Sequence, residues 1–149
     1  MTKVSIAPDG TEYPMPTEAQ LEEEKQILKR ITEEQRALGR KIVAVQGLGF
    51  VGCVMASVVA DATDKDGNPI YYVHGHQRAS KRSYWKVPVI NSGIPPVSSS
   101  DAEVPLIFHR TVVEKKNFRA TSEDSVYGMV DVVVVDIQLD ATKPAFGEA

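Results

Sequence analysis

The sequence predicts an α/β fold: an open parallel sheet with helices on both faces, preceded by an amino-terminal helical extension. Three observations carry this. From residue 41 onward, segments of strand and helix character alternate as strand, helix, strand, helix, helix, strand. The first of these strands runs straight into a glycine-rich turn and then into a helix of small apolar residues. The last, Val130 to Val135, is continuous valine broken only by Asp131, the pattern of a parallel strand buried on both faces.

Taken in order, residues 1–16 carry Pro8, Gly10, Pro14 and Pro16 and read as a loop or poorly ordered tail. Residues 17–38 read as a helix. Thr17 and Gln20 form a capping box, Glu18 sits in the first turn, and Gly39 with Arg40 and Lys41 marks the stop. Leu21, Leu28, Ile31 and Leu38 recur near helical spacing, and Ile27 widens the stripe. The other face is charged, from Glu22, Glu23 and Glu24 to Lys29, Arg30, Glu33 and Glu34. Such a helix packs on the main domain and leaves its outer face solvated. A dimerisation helix is the alternative, so assembly as a homo-oligomer stays open.

Ile42 to Val45 is a short β-branched strand, and Cys53 to Ala62 is the small-residue helix after the glycine turn. Asp64 to Pro69 is dense turn chemistry, and Ile70 to Val73 is a second strand. The stretch from Arg78 to Pro96 starts polar and then carries Val87, Val89 and Ile90, with Pro88 limiting any long helix. Residues 97–105 read as a loop into a helix with Ser100 as cap, and Leu106 to Lys116 has helical apolar spacing. Phe118 to Thr121 reads as a short strand and Ala141 to Ala149 as a loop. The domain reading is therefore a tail and helix over 1–40, then one sheet domain over 41–149.

At 149 residues the chain is one domain's worth of material. A formal net charge of -3 argues against general affinity for nucleic acid or acidic membrane. The single cysteine, Cys53, rules out an internal disulfide. Met1 to Pro16 has no apolar core of signal-peptide length, and no run approaches the ~18 apolar residues of a membrane span. A cytoplasmic protein without membrane partners is expected.

The glycine turn, Gly47-Leu48-Gly49-Phe50-Val51-Gly52, has the chemistry of a dinucleotide loop in a Rossmann-like fold. Gly47 allows the tight turn, Gly49 lets a pyrophosphate approach the backbone, and Gly52 lets the helix pack close to the strand. The helix start then offers free N–H groups and a partial positive charge. An acidic residue normally closes the second strand and holds the adenosine ribose. This sequence has none there. Gln77 is the nearest candidate, followed by Arg78, Lys81 and Arg82, which suit a 2′-phosphate. The residues alone leave NAD and NADP both open.

The segment Lys41 to Gly52 resembles the opening of the UDP-glucose/GDP-mannose dehydrogenase family, which begins with a strand and G-L-G-[YF]-V-G. Ile90-Asn91-Ser92-Gly93 with Pro96 resembles that family's L-N-x-G-x-x-P segment, Phe118-Arg119-Ala120-Thr121 its L-R-A-T strand, and Val130 to Val135 its A-D-V-V strand. The resemblance covers residues 41–140 and implies the NAD-binding domain of a nucleotide-sugar dehydrogenase in a divergent branch. Such an oxidoreductase takes the sugar C6 hydroxyl of a UDP- or GDP-sugar towards the uronate, a step of polysaccharide biosynthesis, and favours NAD as cofactor. It also implies that the catalytic cysteine, lysine and asparagine lie beyond residue 149, in a substrate domain, and that this fragment alone is inactive. Cys53 is not that cysteine but a small buried residue.

By the same resemblance Gly47, Gly49, Phe50, Val51 and Gly52 surround the pyrophosphate, Gln77 and Arg78 meet the adenosine end, and Thr121 faces the cofactor. After the valine strand the family carries V-P-T-P, whereas this chain reads Asp136-Ile137-Gln138. The threonine contact does not transfer, and the Gln138 amide is the candidate replacement. The competing reading is a non-catalytic nucleotide-binding or regulatory module of the same fold. A weaker one is another Rossmann enzyme, of hydroxyacid or methyltransferase type. His74, His76 and His109 raise the question of a metal; His74 and His76 point the same way on a strand, but no carboxylate or cysteine completes a set, and none is expected. Ser98 to Ser100 lacks the turn of a serine hydrolase, and Tyr84-Trp85 among basic residues reads as packing or a ligand edge rather than a nucleic-acid surface.

Overall fold

The computed structural model describes residues 3–137. Four strands form one parallel sheet: β3 (Lys41–Gln46), β4 (Tyr71–His76), β5 (Phe118–Thr121) and β6 (Val132–Val135), in the spatial order β5-β4-β3-β6. The chain steps outward from β3 to β5 and then returns to the other side of β3. The first crossover is α2 (Phe50–Asp61), and the second holds α3 (Lys86–Asn91) and α4 (Glu103–Phe108), which continues as a wider π-helical turn over His109–Glu114. A single 3-10 turn, Asp124–Gly128, makes the return. The predicted open parallel α/β sheet is what forms.

Side-chain alternation gives the sheet two different faces. Val43, Val45, Val73, Phe118 and Ala120 join Cys53, Ala56 and Ala60 of α2, Val87 and Ile90 of α3, and Val104 and Phe108 of α4 in one apolar core. The opposite face is covered by α1 (Glu18–Ala37), and its contacts are mostly polar. Four residues of α1 at four-residue steps make them. Glu24 pairs with Arg119, Leu28 is fully buried, the Thr32 hydroxyl meets His74 Nε2 at 2.9 Å, and Arg36 reaches Asp131 at 2.9 Å. The capping box between Thr17 and Gln20 is present in both directions, and Gly39 ends the helix at φ 83°. The expected apolar stripe is only partly used: Leu38 is 67% exposed, while Thr32 is buried. Hydropathy and hydrogen bonding together decide which side of α1 faces in, since Leu28 is buried and Leu21, Ile27 and Ile31 are half-buried beside the polar contacts.

The leader corrects the reading of residues 1–16 as a tail. β1 (Val4–Ile6) and β2 (Glu12–Pro14) form an antiparallel hairpin. The turn closes through Gly10 at φ 88°, and the buried Ser5 hydroxyl accepts the Trp85 N–H at 3.0 Å. Proline is compatible with such a strand because a two-stranded ribbon is all edge; Pro14 sits at a strand end. Ser100 is not the α4 cap. Ala102 holds that position, the Asp101 carboxylate accepts the Glu103 N–H at 2.9 Å, and the Ser99 hydroxyl accepts the Asp101 N–H. The valine strand is shorter than predicted and lies at the sheet edge, leaving Val132, Val133 and Val135 about half exposed. Asp131 explains its start: its N–H donates to the Ile42 carbonyl and its carboxylate accepts the Ile42 N–H, pinning β6 to β3. Gln138 and the predicted loop at 141–149 lie outside the described residues.

Candidate functional site

The chain reverses its stepping direction at β3, so the carboxyl ends of β3 and β6 form a topological switch point, where ligands of open α/β sheets bind. Residues 47–52 fill the corner between β3 and α2. Gly47 sits at φ 93°, and a β-carbon on it would lie 2.1 Å from the Asp136 carbonyl oxygen. A β-carbon on Gly52 would lie 1.9 Å from the Gly47 carbonyl oxygen. Around Gly49 there is nothing within 4 Å. Two glycines are therefore demanded by protein atoms, and the third faces open space.

Gly49 is also the N-cap of α2. It offers no side-chain cap, and the first turn carries no acid. The amino-terminal N–H groups of a 12-residue helix thus face the switch point without a side-chain acceptor. Phe50 and Val51 flank them and are more than half exposed. Leu48 does the opposite: it is fully buried over Gly75, where a β-carbon would lie 2.9 Å from its Cδ2. The loop is held by backbone bonds from Gly47 N–H to the His76 carbonyl at 3.0 Å and from Cys53 N–H to the Gly49 carbonyl at 3.0 Å.

Gln77 comes to this loop directly. Its Oε1 accepts the Leu48 N–H at 3.1 Å, which joins the end of β4 to the glycine turn. Arg78 follows at the surface. Thr121 is placed differently from expectation. It is 1% exposed, its hydroxyl donates to Glu24 Oε1 at 3.2 Å, and it accepts the Glu123 N–H at 3.1 Å. The resemblance implies that it faces the cofactor; here Glu24 of α1 accepts its hydroxyl. Cys53 is buried, and burial pushes its thiol up to about 11 despite the nearby Lys86 charge, so it is no nucleophile.

Some residues at the site carried no readable signal. Asp136 is one: its N–H donates to Gln46, and its Oδ2 lies 3.0 Å from where a Gly52 β-carbon would stand, at the first turn of α2. A carboxylate there complements the helix dipole. Asn91, in the L-N-x-G-like segment, satisfies the open edge of β5: its amide donates to the Ala120 carbonyl and its Oδ1 accepts the Ala120 N–H. His74 and His76 do point to the same face, as expected. His74 is fully buried, and burial, with the Arg119 charge, lowers its pKa to about 4. His76 Nε2 lies 2.9 Å from Asp124 Oδ1, out of line for a hydrogen bond, and its ring packs on Tyr127 at 4.8 Å. No group of three metal-ligating side chains exists among the described residues, and no helix there is long and apolar enough to cross a membrane.

Solved structures of two enzymes are similar to this chain in fold. The NDP-N-acetyl-D-galactosaminuronic acid dehydrogenase of Methanosarcina mazei Go1 matches with a TM-score of 0.62 and 28% identity over 78% of this chain. The chain is thus similar to a nucleotide-sugar dehydrogenase in fold and, more weakly, in sequence. The GDP-mannose dehydrogenase of Pseudomonas aeruginosa shares the fold, with a TM-score of 0.54 and 20% identity over 68% of this chain. The chain spans 23% of the length of the first and 20% of the second. No protein-family model and no curated protein sequence matches it.

Proposed function

We propose that this chain is the NAD-binding domain of a nucleotide-sugar dehydrogenase, in which the corner at residues 47–52 holds the cofactor's pyrophosphate. One observation carries the reading: at the switch point of the sheet, Gly49 alone of the loop glycines has open space where a side chain would be, at an uncapped helix start. Gly49 sits in extended backbone at φ -73°, which any residue adopts, and no protein atom crowds it, so neither sterics nor conformation calls for a glycine there. Phe50 and Val51 would border the diphosphate, with Gln77 and Arg78 towards the adenosine. The reaction supported by the resemblance is oxidation of the C6 hydroxyl of a nucleotide sugar, with hydride passing to NAD. The sugar-binding and catalytic groups of that reaction, a cysteine, a lysine and an asparagine, are not supplied by residues 41–140. A cytoplasmic location and a nucleotide-sugar partner for the complete enzyme belong to the same proposal.

Titration calorimetry of the chain with NAD tests it. Gly49→Val is expected to weaken binding at least tenfold, because the new side chain takes the pyrophosphate's space. Unchanged affinity would remove the site. One observation favours the second reading, a non-catalytic nucleotide-binding module: the Asp136 carboxylate at the first turn of α2 opposes an incoming diphosphate. Turnover of a UDP- or GDP-sugar by the complete polypeptide, coupled to NADH formation, decides between the two.

A further inference from the structure

At the end of β4 the Gln77 amide and the cations that follow it offer hydrogen-bond donors, with the Asp124 carboxylate beside His76 at the same strand end. A carboxylate at the end of the second strand discriminates between cofactors twice over: it accepts from the ribose 2′-hydroxyl and it repels a 2′-phosphate. Gln77 stands there, and one lone pair of its Oε1 is engaged by the Leu48 N–H at 3.1 Å. The side chain is neutral, and its –NH₂ is a donor. A ribose hydroxyl meets a neutral amide in place of a carboxylate, whereas a phosphate meets a donor and no repelling charge.

The charge around this position points the same way. From Gly67 to Ser100 the sequence contains no aspartate or glutamate, while Arg78, Lys81, Arg82 and Lys86 all fall within it. None of these four forms an ion pair among the described residues. Arg78, Lys81 and Arg82 ride on an ordered turn, and Lys86 opens α3. The Arg78 carbonyl accepts the Ser83 hydroxyl at 3.2 Å, the Ser80 and Ser83 hydroxyls meet at 2.6 Å, and the Arg82 carbonyl accepts the Trp85 indole N–H at 3.0 Å. That turn starts one residue after Gln77, so cations follow immediately upon the side chain that ties the strand end to the glycine loop. Arginine suits a phosphate through its fork of donors.

We propose that this site does not exclude a 2′-phosphate: the chain binds NADP with an affinity comparable to NAD, Arg78 being the cation that meets the extra phosphate. This rests on the dinucleotide reading of the glycine corner. Parallel titrations of the intact chain with NAD and NADP separate the two ideas. Binding of both with dissociation constants within tenfold supports the proposal. NAD bound more than tenfold tighter than NADP overturns it and leaves the dinucleotide reading standing. Binding of neither, by a chain with native circular dichroism, overturns the dinucleotide reading itself. Gln77→Asp is expected to raise the NADP-to-NAD ratio of dissociation constants at least tenfold. Arg78→Ala, at an exposed position, provides a second variant whose folding is secure; it is expected to weaken NADP at least fivefold and NAD less than twofold. Equal effects on the two cofactors would overturn the role of Arg78.

Discussion

The three loop glycines should separate stability from binding. Gly47→Ala places a β-carbon 2.1 Å from the Asp136 carbonyl oxygen, at a backbone φ of 93°. The left-handed backbone alone opposes an L-residue by about 1–2 kcal/mol. The overlap with a main-chain atom, which no rotamer change relieves, adds about 1–3 kcal/mol. Together these give a loss of roughly 2–5 kcal/mol, or about 5–15 °C in melting temperature for a chain of this size. Gly52→Ala meets the Gly47 carbonyl oxygen at 1.9 Å but has no strained φ. It also recovers about 1 kcal/mol of helix propensity, so its net loss should be nearer 1–3 kcal/mol. Gly49→Ala meets nothing within 4 Å and should lose no more than about 1 kcal/mol, from the N-cap preference for glycine over alanine. Thermal melts by circular dichroism rank the three. The expected order of destabilisation is Gly47→Ala, then Gly52→Ala, then Gly49→Ala close to wild type. A Gly49→Ala variant that melts as low as Gly47→Ala would refute the assignment of that glycine to a ligand rather than to the fold.

Three further outcomes follow from the other face of the sheet and from the core. His74 is held neutral by burial, with a folded pKa of about 4 against an ordinary 6.5. The unfolded chain therefore binds the proton first, and this residue's contribution is intact above about pH 6.5 and falls away towards pH 4, by up to roughly 3 kcal/mol. Urea titrations across that range should show a shallower acid loss for His74→Gln; identical slopes would count against the buried Thr32–His74 contact. Glu24→Ala removes the partner of a largely buried arginine and the acceptor of the Thr121 hydroxyl, and should lower stability by about 2–3 kcal/mol. A wild-type melting temperature would mean that α1 does not dock through Glu24. Cys53, with its thiol near 11, should have about one thiolate in a thousand at pH 8. Native-state labelling by a disulfide reagent should run at least tenfold slower than in denaturant, and equal rates would show the thiol to be accessible.

Much of the fold was legible because local rules and tertiary structure agree there. The capping box at Thr17 and Gln20, the stop at Gly39, the β-branched strand before Gly47 and the small-residue helix after Gly52 are each written in a few adjacent residues. The glycine corner was readable for the same reason: three backbone requirements at fixed spacing leave a trace that needs no knowledge of distant contacts. The hairpin at the amino terminus was not, since its prolines are tolerated at edge positions and its anchor, Ser5 to Trp85, spans the sequence.

Composition and short-range pattern by themselves determined an α/β chain with a parallel sheet and a glycine-rich corner between a strand and a helix, because apolar periodicity and glycine placement are properties of neighbouring residues. Only the tertiary structure decided that α1 faces the sheet through Glu24, Leu28, Thr32 and Arg36. It also decided that Thr121 gives its hydroxyl to that helix, that Gln77 gives its acceptor to Leu48, and that Asp136 stands against Gly47 and Gly52. Apart from the burial of Leu28 and the close approach of Asp136, each of these rests on a polar contact whose partners are far apart in sequence. A hydrogen bond is directional and short, so its partner is fixed by where the packed elements come to lie and by nothing in the residue's own neighbourhood.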